Sequence, residues 1–447
     1  MEGMQEFHWQ RYPKAEALLE KALDDAIVLN PELNQLSQDL LDKTSSRLFD
    51  WVDYISLSPA YEEAFINEGY EEVHTTQHYR VLYHPGAQFP KVVIEENAEK
   101  VSGVAVTVDS IEDFFLARGE KGHPEGSYLA TFRRALVSKS QGVNFWVVER
   151  REGTHIEPEV LSDHAVLKRL QALSMWALRN RNFEDENEAF SQAFEVAEKM
   201  VSLVGEGLSA WLVLEVERKY WQMKNRAGQV QKARQDSLGM GWSNHDHHTF
   251  RSSRVHFQAL VRLFEVLGFR PRERFYAGEE AGWGAQVMEH PHTRLVLFLD
   301  VDLSPEEVQI DFAHETLPLR DSLGTIGLWC ALHGDSILSA GMHHLELQFQ
   351  FDYLKAALKE DDIEMMDPFS DFSYLKQAFT KGEMWPVDPS RLEKLYKAHL
   401  ITEEQKKRFL EKGALGSHME NLQRREGYKG FNQKNVSSII KKTDPRR

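Results

Sequence analysis

GWSNHDHHTFRSSRVHFQALVRLFEVLGF, residues 241–269, decides the fold. Its first sixteen positions crowd His245, His247, His248 and His256 around Arg251 and Arg254. NHDHHTF reads as a short strand, on which successive side chains point to opposite faces. VHFQALVRLFEVLGF then reads as an amphipathic helix, with Phe257, Leu260, Val261, Phe264 and Leu267 on one stripe and Gly268 as its cap. On the strand, His247, Thr249 and Arg251 share a face and His248 takes the other. An imidazole and a guanidinium along one wall suit a chelated ligand with a distant anionic end. The competing reading is a polar turn rich in imidazole.

Downstream, WGAQVMEH and RLVLFLDVD look like strands joined at HPHT, and further strands are expected at GTIGLWCAL (324–332) and GMHHLELQFQF (341–351). A strand, a helix and then several strands form the βαβββ unit of vicinal-oxygen-chelate proteins, whose strands curl around a metal pocket. In the second histidine cluster His344 and Glu346 share a face, and His343 and Leu345 share the opposite one. Two histidines from separate strands need only a carboxylate to complete a facial triad, which leaves positions open on iron(II). The one cysteine, Cys330, leaves His, Asp and Glu as the metal ligands. Residues 352–412 read as mainly helical and charged.

Upstream, residues 14–47 carry helical periodicity. Strands follow at HYRVLYHP (78–85), KVVIEE (91–96), VSGVAVTV (101–108) and GVNFWVVER (142–150). Residues 161–236 return to helical spacing. The expected class is α+β: a vicinal-oxygen-chelate-like curled sheet with flanking helices, plus an amino-terminal α+β region. Its parts are an amino-terminal region (1–160), a helical connector (161–240), a metal-binding domain (241–435) and a basic, unstructured tail (436–447). No internal repeat is visible, although the texture of 73–150 suits a diverged second copy of the same module. The net charge of -17 argues against a general nucleic-acid binder. No run approaches the ~20 apolar residues of a membrane span. The start lacks a signal peptide's apolar stretch, so the expected location is the cytoplasm.

In HHTFR, LVRLFEVLGFRPRERFY, EEAGWGAQVMEH, GMHHLELQF and GSHMENLQRREG, taken in that order, the chain resembles the 2-oxoadipate dioxygenase/decarboxylase (2-hydroxyglutarate synthase) family. The resemblance covers roughly residues 240–435. It implies iron(II) held by His247, His344 and Glu420, with Arg251 gripping the substrate and His418 facing the pocket. The gap between Gly-Ser-His and the glutamate is shorter here than in the family, so Glu426 competes with Glu420 as third ligand. GSHM (416–419) also matches a common cloning remnant, but the residues after it continue the family pattern. The implied reaction takes a 2-oxoadipate-like diacid and O2 to 2-hydroxyglutarate and CO2. Two other functions compete: a metal-dependent lyase, isomerase or ring-cleaving dioxygenase on the same scaffold, and a non-catalytic scaffold on a decayed barrel.

Overall fold

Four times along the chain a strand, a helix and an antiparallel run of strands recur in the same order. The computed structural model describes residues 9–432 and 444–446. The first unit is β1 (Val52–Leu57), helix Glu62–Asn67, β2 (Glu71–Thr75), β3 (Tyr79–Tyr83) and β4 (Lys91–Glu95). The second is β5 (Val101–Thr107), helix Ile111–Ala117, β6 (Phe132–Ser140) and β7 (Val143–Arg150). Here the strand expected before β6 shrinks to one antiparallel bridge, Glu125 to Arg134. The third is β8 (His245–Arg251), helix Phe257–Val266, β9 (Arg270–Tyr276), β10 (Trp283–Glu289) and β11 (Val296–Asp302). The fourth is β12 (His344–Leu347), helix Phe351–Glu360, β13 (Ser370–Phe372), β14 (Leu375–Phe379), β15 (Glu383–Trp385) and β16 (Ala414–Arg424).

In every unit the first strand pairs in parallel with the last: β1 with β4, β5 with β7, β8 with β11 and β12 with β16. First strands then pair antiparallel with each other, β1 with β5 and β8 with β12. The result is two sheets, of seven strands (β2-β3-β4-β1-β5-β7-β6) and nine (β13-β14-β16-β12-β8-β11-β10-β9, with β15 on β16). Both curl, with helices flanking them, so the molecule is α+β and vicinal-oxygen-chelate-like.

Alternation sorts the two faces of each sheet. In the nine-stranded sheet, Phe250, Leu297, Leu299, Leu345, Leu347 and Met419 form one core with Phe257, Leu260, Val261 and Phe264, and with the helices between 163 and 236. Burying each such side chain contributes roughly 1.5–3 kcal/mol. The opposite face carries polar groups beside a smaller apolar cluster that includes Phe275, Val287, Phe298 and Phe431. In the seven-stranded sheet, Ile55, Leu57, Ile94, Val104 and Phe145 pack under the helices at Pro13–Leu29 and Pro31–Asp39. Its other face carries Tyr54, Val81, Val93, Ala105, Phe132 and Val148, a second apolar layer.

Three expectations need correction. GTIGLWCAL is a helix, Thr325–His333, in place of a strand. The run is almost wholly buried, so its sequence shows no amphipathic period that could separate helix from strand. Its first turn is fixed from outside, where the Asp302 carboxylate accepts the N–H groups of Gly324, Ile326 and Gly327 at 3.0, 2.9 and 2.8 Å. The second correction is to residues 352–412, which hold β13, β14 and β15 as well as helices. These strands are only three to five residues long, too short to show alternation. GMHHLELQFQF is strand only over His344–Leu347, since Phe351 already opens a helix. Most of the expected basic tail, residues 436–443 and 447, lies outside the described residues, as do residues 433–435 of the expected metal-binding domain.

Candidate metal centre

Three neighbouring strands bring the site together by register alone. His247 on β8 is the partner of Glu346 on β12, which is the partner of Glu420 on β16. One step along, Thr249, His344 and His418 form the next row. All six side chains line one cavity of about 70 Å³, with Arg251, Asp300 and Gln377. GSHM therefore lies within a central strand of the sheet, with Met419 in the core and His418 facing the cavity.

His247 and His344 converge on one carboxylate oxygen. His247 Nε2 lies 3.0 Å and His344 Nε2 2.5 Å from Glu346 Oε1, which also accepts from Thr249 Oγ1 at 2.7 Å. His344 Nε2 is 3.5 Å from Glu420 Oε2, while Glu420 Oε1 accepts from Gln377 Nε2 at 2.9 Å. Ligand atoms of His247, Glu346 and Glu420 all lie within 4.8 Å of one another. The structure thus brings His247, His344 and Glu420 to one place and adds Glu346, which the sequence reading put on the right face without giving it a role.

A bulge positions the support of His247. The β8–β12 register slips between His247 and His245, leaving Asp246 as the extra residue. Asp246 turns to His247 Nδ1 at 2.9 Å and is itself held by Arg424, Gln88 and Gln348. A carboxylate on Nδ1 fixes the tautomer and leaves the Nε2 lone pair facing the cavity. His418 does similar work for His344, with its Nε2 3.1 Å from His344 Nδ1.

The electrostatics fit a divalent cation. Burial is the main cause that drives the His247 pKa down to about 4, and it drives His344 well below the usual imidazole range. Both rings are therefore neutral and can donate lone pairs. Burial, and then the neighbouring Glu420 charge, push Glu346 well above the ordinary carboxylate range, and burial also raises Glu420. A neutral imidazole lone pair facing a carboxylate oxygen at 3.0 Å needs a proton or a cation between them. Glu346 Oε2 is buried without a hydrogen-bond partner. Imidazole and carboxylate donors suit iron(II), manganese or zinc.

The remaining candidates divide clearly. Arg251 lines the same cavity, and its buried Nε and Nη1 make no hydrogen bond. His248 points to the other face, where it accepts from Arg218 Nη1 at 3.2 Å. His343 turns to the Gly416 carbonyl and the Trp329 ring. Glu426 lies beyond the end of β16. Its carboxylate pairs with Arg11 at 3.4 Å, its N–H donates to Glu16 and its carbonyl accepts from Tyr12, so it is remote from the cavity. Asp246, Asp300 and Gln377 escaped the sequence reading, because single polar residues within strands give no spacing signal.

No family model matches the chain, and no curated protein matches it. Among solved structures it is similar to a candidate hydrolase from Shewanella frigidimarina (16% identity, 56% of this chain and 99% of that chain, TM-score 0.30). It is also similar to a triple variant of 4-hydroxymandelate synthase from Streptomyces coelicolor (10% identity, 89% and 98%, TM-score 0.29). A third is methylmalonyl-CoA epimerase from Mycobacterium tuberculosis (10% identity, 41% and 89%, TM-score 0.24). At scores this low, the fold assignment rests on strand topology instead.

Proposed function

We propose that the chain is an iron(II)-dependent dioxygenase/decarboxylase acting on a 2-oxo acid, with a 2-oxoadipate-like diacid as substrate. One observation carries this reading: a buried cavity joins an imidazole and carboxylate cluster to a guanidinium with unbonded N–H groups. The cluster offers a seat for a metal, and Arg251 offers a grip for the far end of a substrate. The sequence resemblance supplies the substrate class.

His247, Glu346 and Glu420 would hold the metal, with His344 beside them. Bound there, iron(II) supplies electrons and open coordination positions for a 2-oxo acid and dioxygen. The balance is one diacid and one O2 in, one 2-hydroxy diacid and one CO2 out. Arg251 would take the distal carboxylate in a charge-assisted contact and so select chain length. Phe275, Phe298, Phe369, Phe379 and Phe431 line the cavity and exclude water from the reacting end. Asp246 and His418 hold the two imidazoles in orientation.

The test is oxygen uptake and CO2 release by the iron-loaded chain with a 2-oxo diacid. Lysine at 251 keeps the charge but loses the planar fork. Arg251→Lys should keep its iron yet turn over the diacid at least about tenfold more slowly, the rate cost of ~1.4 kcal/mol. A 2-oxo monoacid should be a poor substrate for both proteins. Equal loss on both substrates would assign Arg251 to the fold or the metal, and no uptake with any 2-oxo acid would refute the activity.

A further inference from the structure

We propose that Arg251 and Asp300 together recognise an end group that both accepts and donates a hydrogen bond, so that a terminal carboxylate binds only with one proton. The proposal rests on the reading of the cavity as a 2-oxo acid site, and it concerns the end of the ligand far from the metal.

Arg251 on β8 and Asp300 on β11 are register partners, and both line the cavity. Their side chains are 4% and 2% exposed, so this pair is buried. Yet it is poorly joined: Arg251 Nε stands 3.7 Å from Asp300 Oδ2, beyond hydrogen-bond reach. Arg251 Nε and Nη1, and Asp300 Oδ1, have no hydrogen-bond partner. Donors and an acceptor thus stand side by side with nothing to satisfy them, and buried polar groups normally do not.

The guanidinium balances one negative charge, and Asp300 already provides it. A ligand carboxylate brings a second into an aromatic-lined cavity, and two adjacent carboxylates do not both stay ionised there. Among the described residues no other side chain around the pair supplies a positive charge, and the charge of a bound metal is met by Glu346 and Glu420. From helix Thr325–His333 comes the buried Cys330 thiol. Along β11 comes Asp302, occupied by the helix N–H groups. From β12 and the residue before it come His344 and His343, from β16 His418, and from the end of the helix His333, all of which burial keeps neutral. Burial also lifts the Asp300 carboxyl to about 7, with Arg251 opposing the rise. A carboxamide carries its own N–H and needs no such proton.

The experiment uses the chain loaded with iron(II) and kept free of oxygen. Binding of 2-oxoadipate and of its distal monoamide is followed by calorimetry, in buffers of different ionisation enthalpy, from about pH 6 to about pH 8.5. The monoamide subtracts any proton exchanged at the metal end. We expect the diacid to take up close to one proton more than the monoamide at about pH 8. Its affinity should fall towards tenfold per pH unit above about 7, while the monoamide's stays level. Asp300→Asn should remove the extra proton and flatten the diacid profile. Equal proton uptake by both ligands in the unmodified chain would overturn the proposal, as would a pH profile unaltered by Asp300→Asn. If neither ligand binds, the 2-oxo acid reading fails and this proposal fails with it.

Discussion

At the scale of single residues, Asp246 shows how much of the centre is support. It touches no substrate space, yet it takes the Nδ1 side of His247 and is gripped by Arg424 through two nitrogens at 2.9 and 3.1 Å. Asparagine keeps its shape but lacks the charge that strengthens the imidazole as a donor. Partners of this kind are typically worth about 10–100-fold in metal affinity. Asp246→Asn should therefore weaken metal binding by about that factor while the far-ultraviolet circular dichroism stays unchanged. Undiminished affinity would show that the carboxylate serves only the ion pair with Arg424. The pattern Asp-His-His was visible in the sequence, but what Asp246 does was not. Its contribution depends on a bulge that rotates it to the side of its neighbour.

At the scale of elements, the helix Thr325–His333 is the instructive case. Asp302, at the end of β11, accepts three backbone N–H groups of its first turn, which would otherwise be left unsatisfied in the core. A Cβ at Gly324 or Gly327 would come within 2.4 or 2.7 Å of the Asp302 carboxylate, which accounts for glycine at both places. Leaving a buried donor unpaired costs about 1–3 kcal/mol. Asp302→Ala should lower the melting temperature by several degrees, measured by calorimetry, and an unchanged midpoint would show that the helix needs no such anchor. The same helix marks where sequence reading stopped. The helix Phe257–Val266 was legible because one face is apolar and the other is not, and β10 and β11 were legible as short apolar runs bounded by turn residues. Buried on every side, residues 324–332 kept no period, and the short β13 to β15 had too few residues to display one.

At the scale of the whole molecule, four repeated units make two sheets, and among the described residues only the nine-stranded sheet carries a metal-type cluster on one face. The repetition lives in strand order and pairing, and in the sequence only the strand-rich texture of residues 73–150 hinted at a second copy. The site was more legible than the architecture. Strand alternation puts His247 with Arg251 and His344 with Glu346, only the resemblance implies Glu420, and the fold gathers all five at one cavity. Choosing between Glu420 and Glu426 needed register, since Glu346 and Glu420 are partners across β12 and β16 and Glu426 lies past the strand. The central claim is one divalent metal per chain, held on that row. It is tested most directly by the metal content of protein purified without oxygen. We expect iron near one per chain, lost in His247→Ala, Glu346→Gln and Glu420→Gln and kept in His248→Ala and Glu426→Gln. A chain that binds no transition metal, or one whose metal survives Glu420→Gln and leaves with Glu426→Gln, would contradict the account.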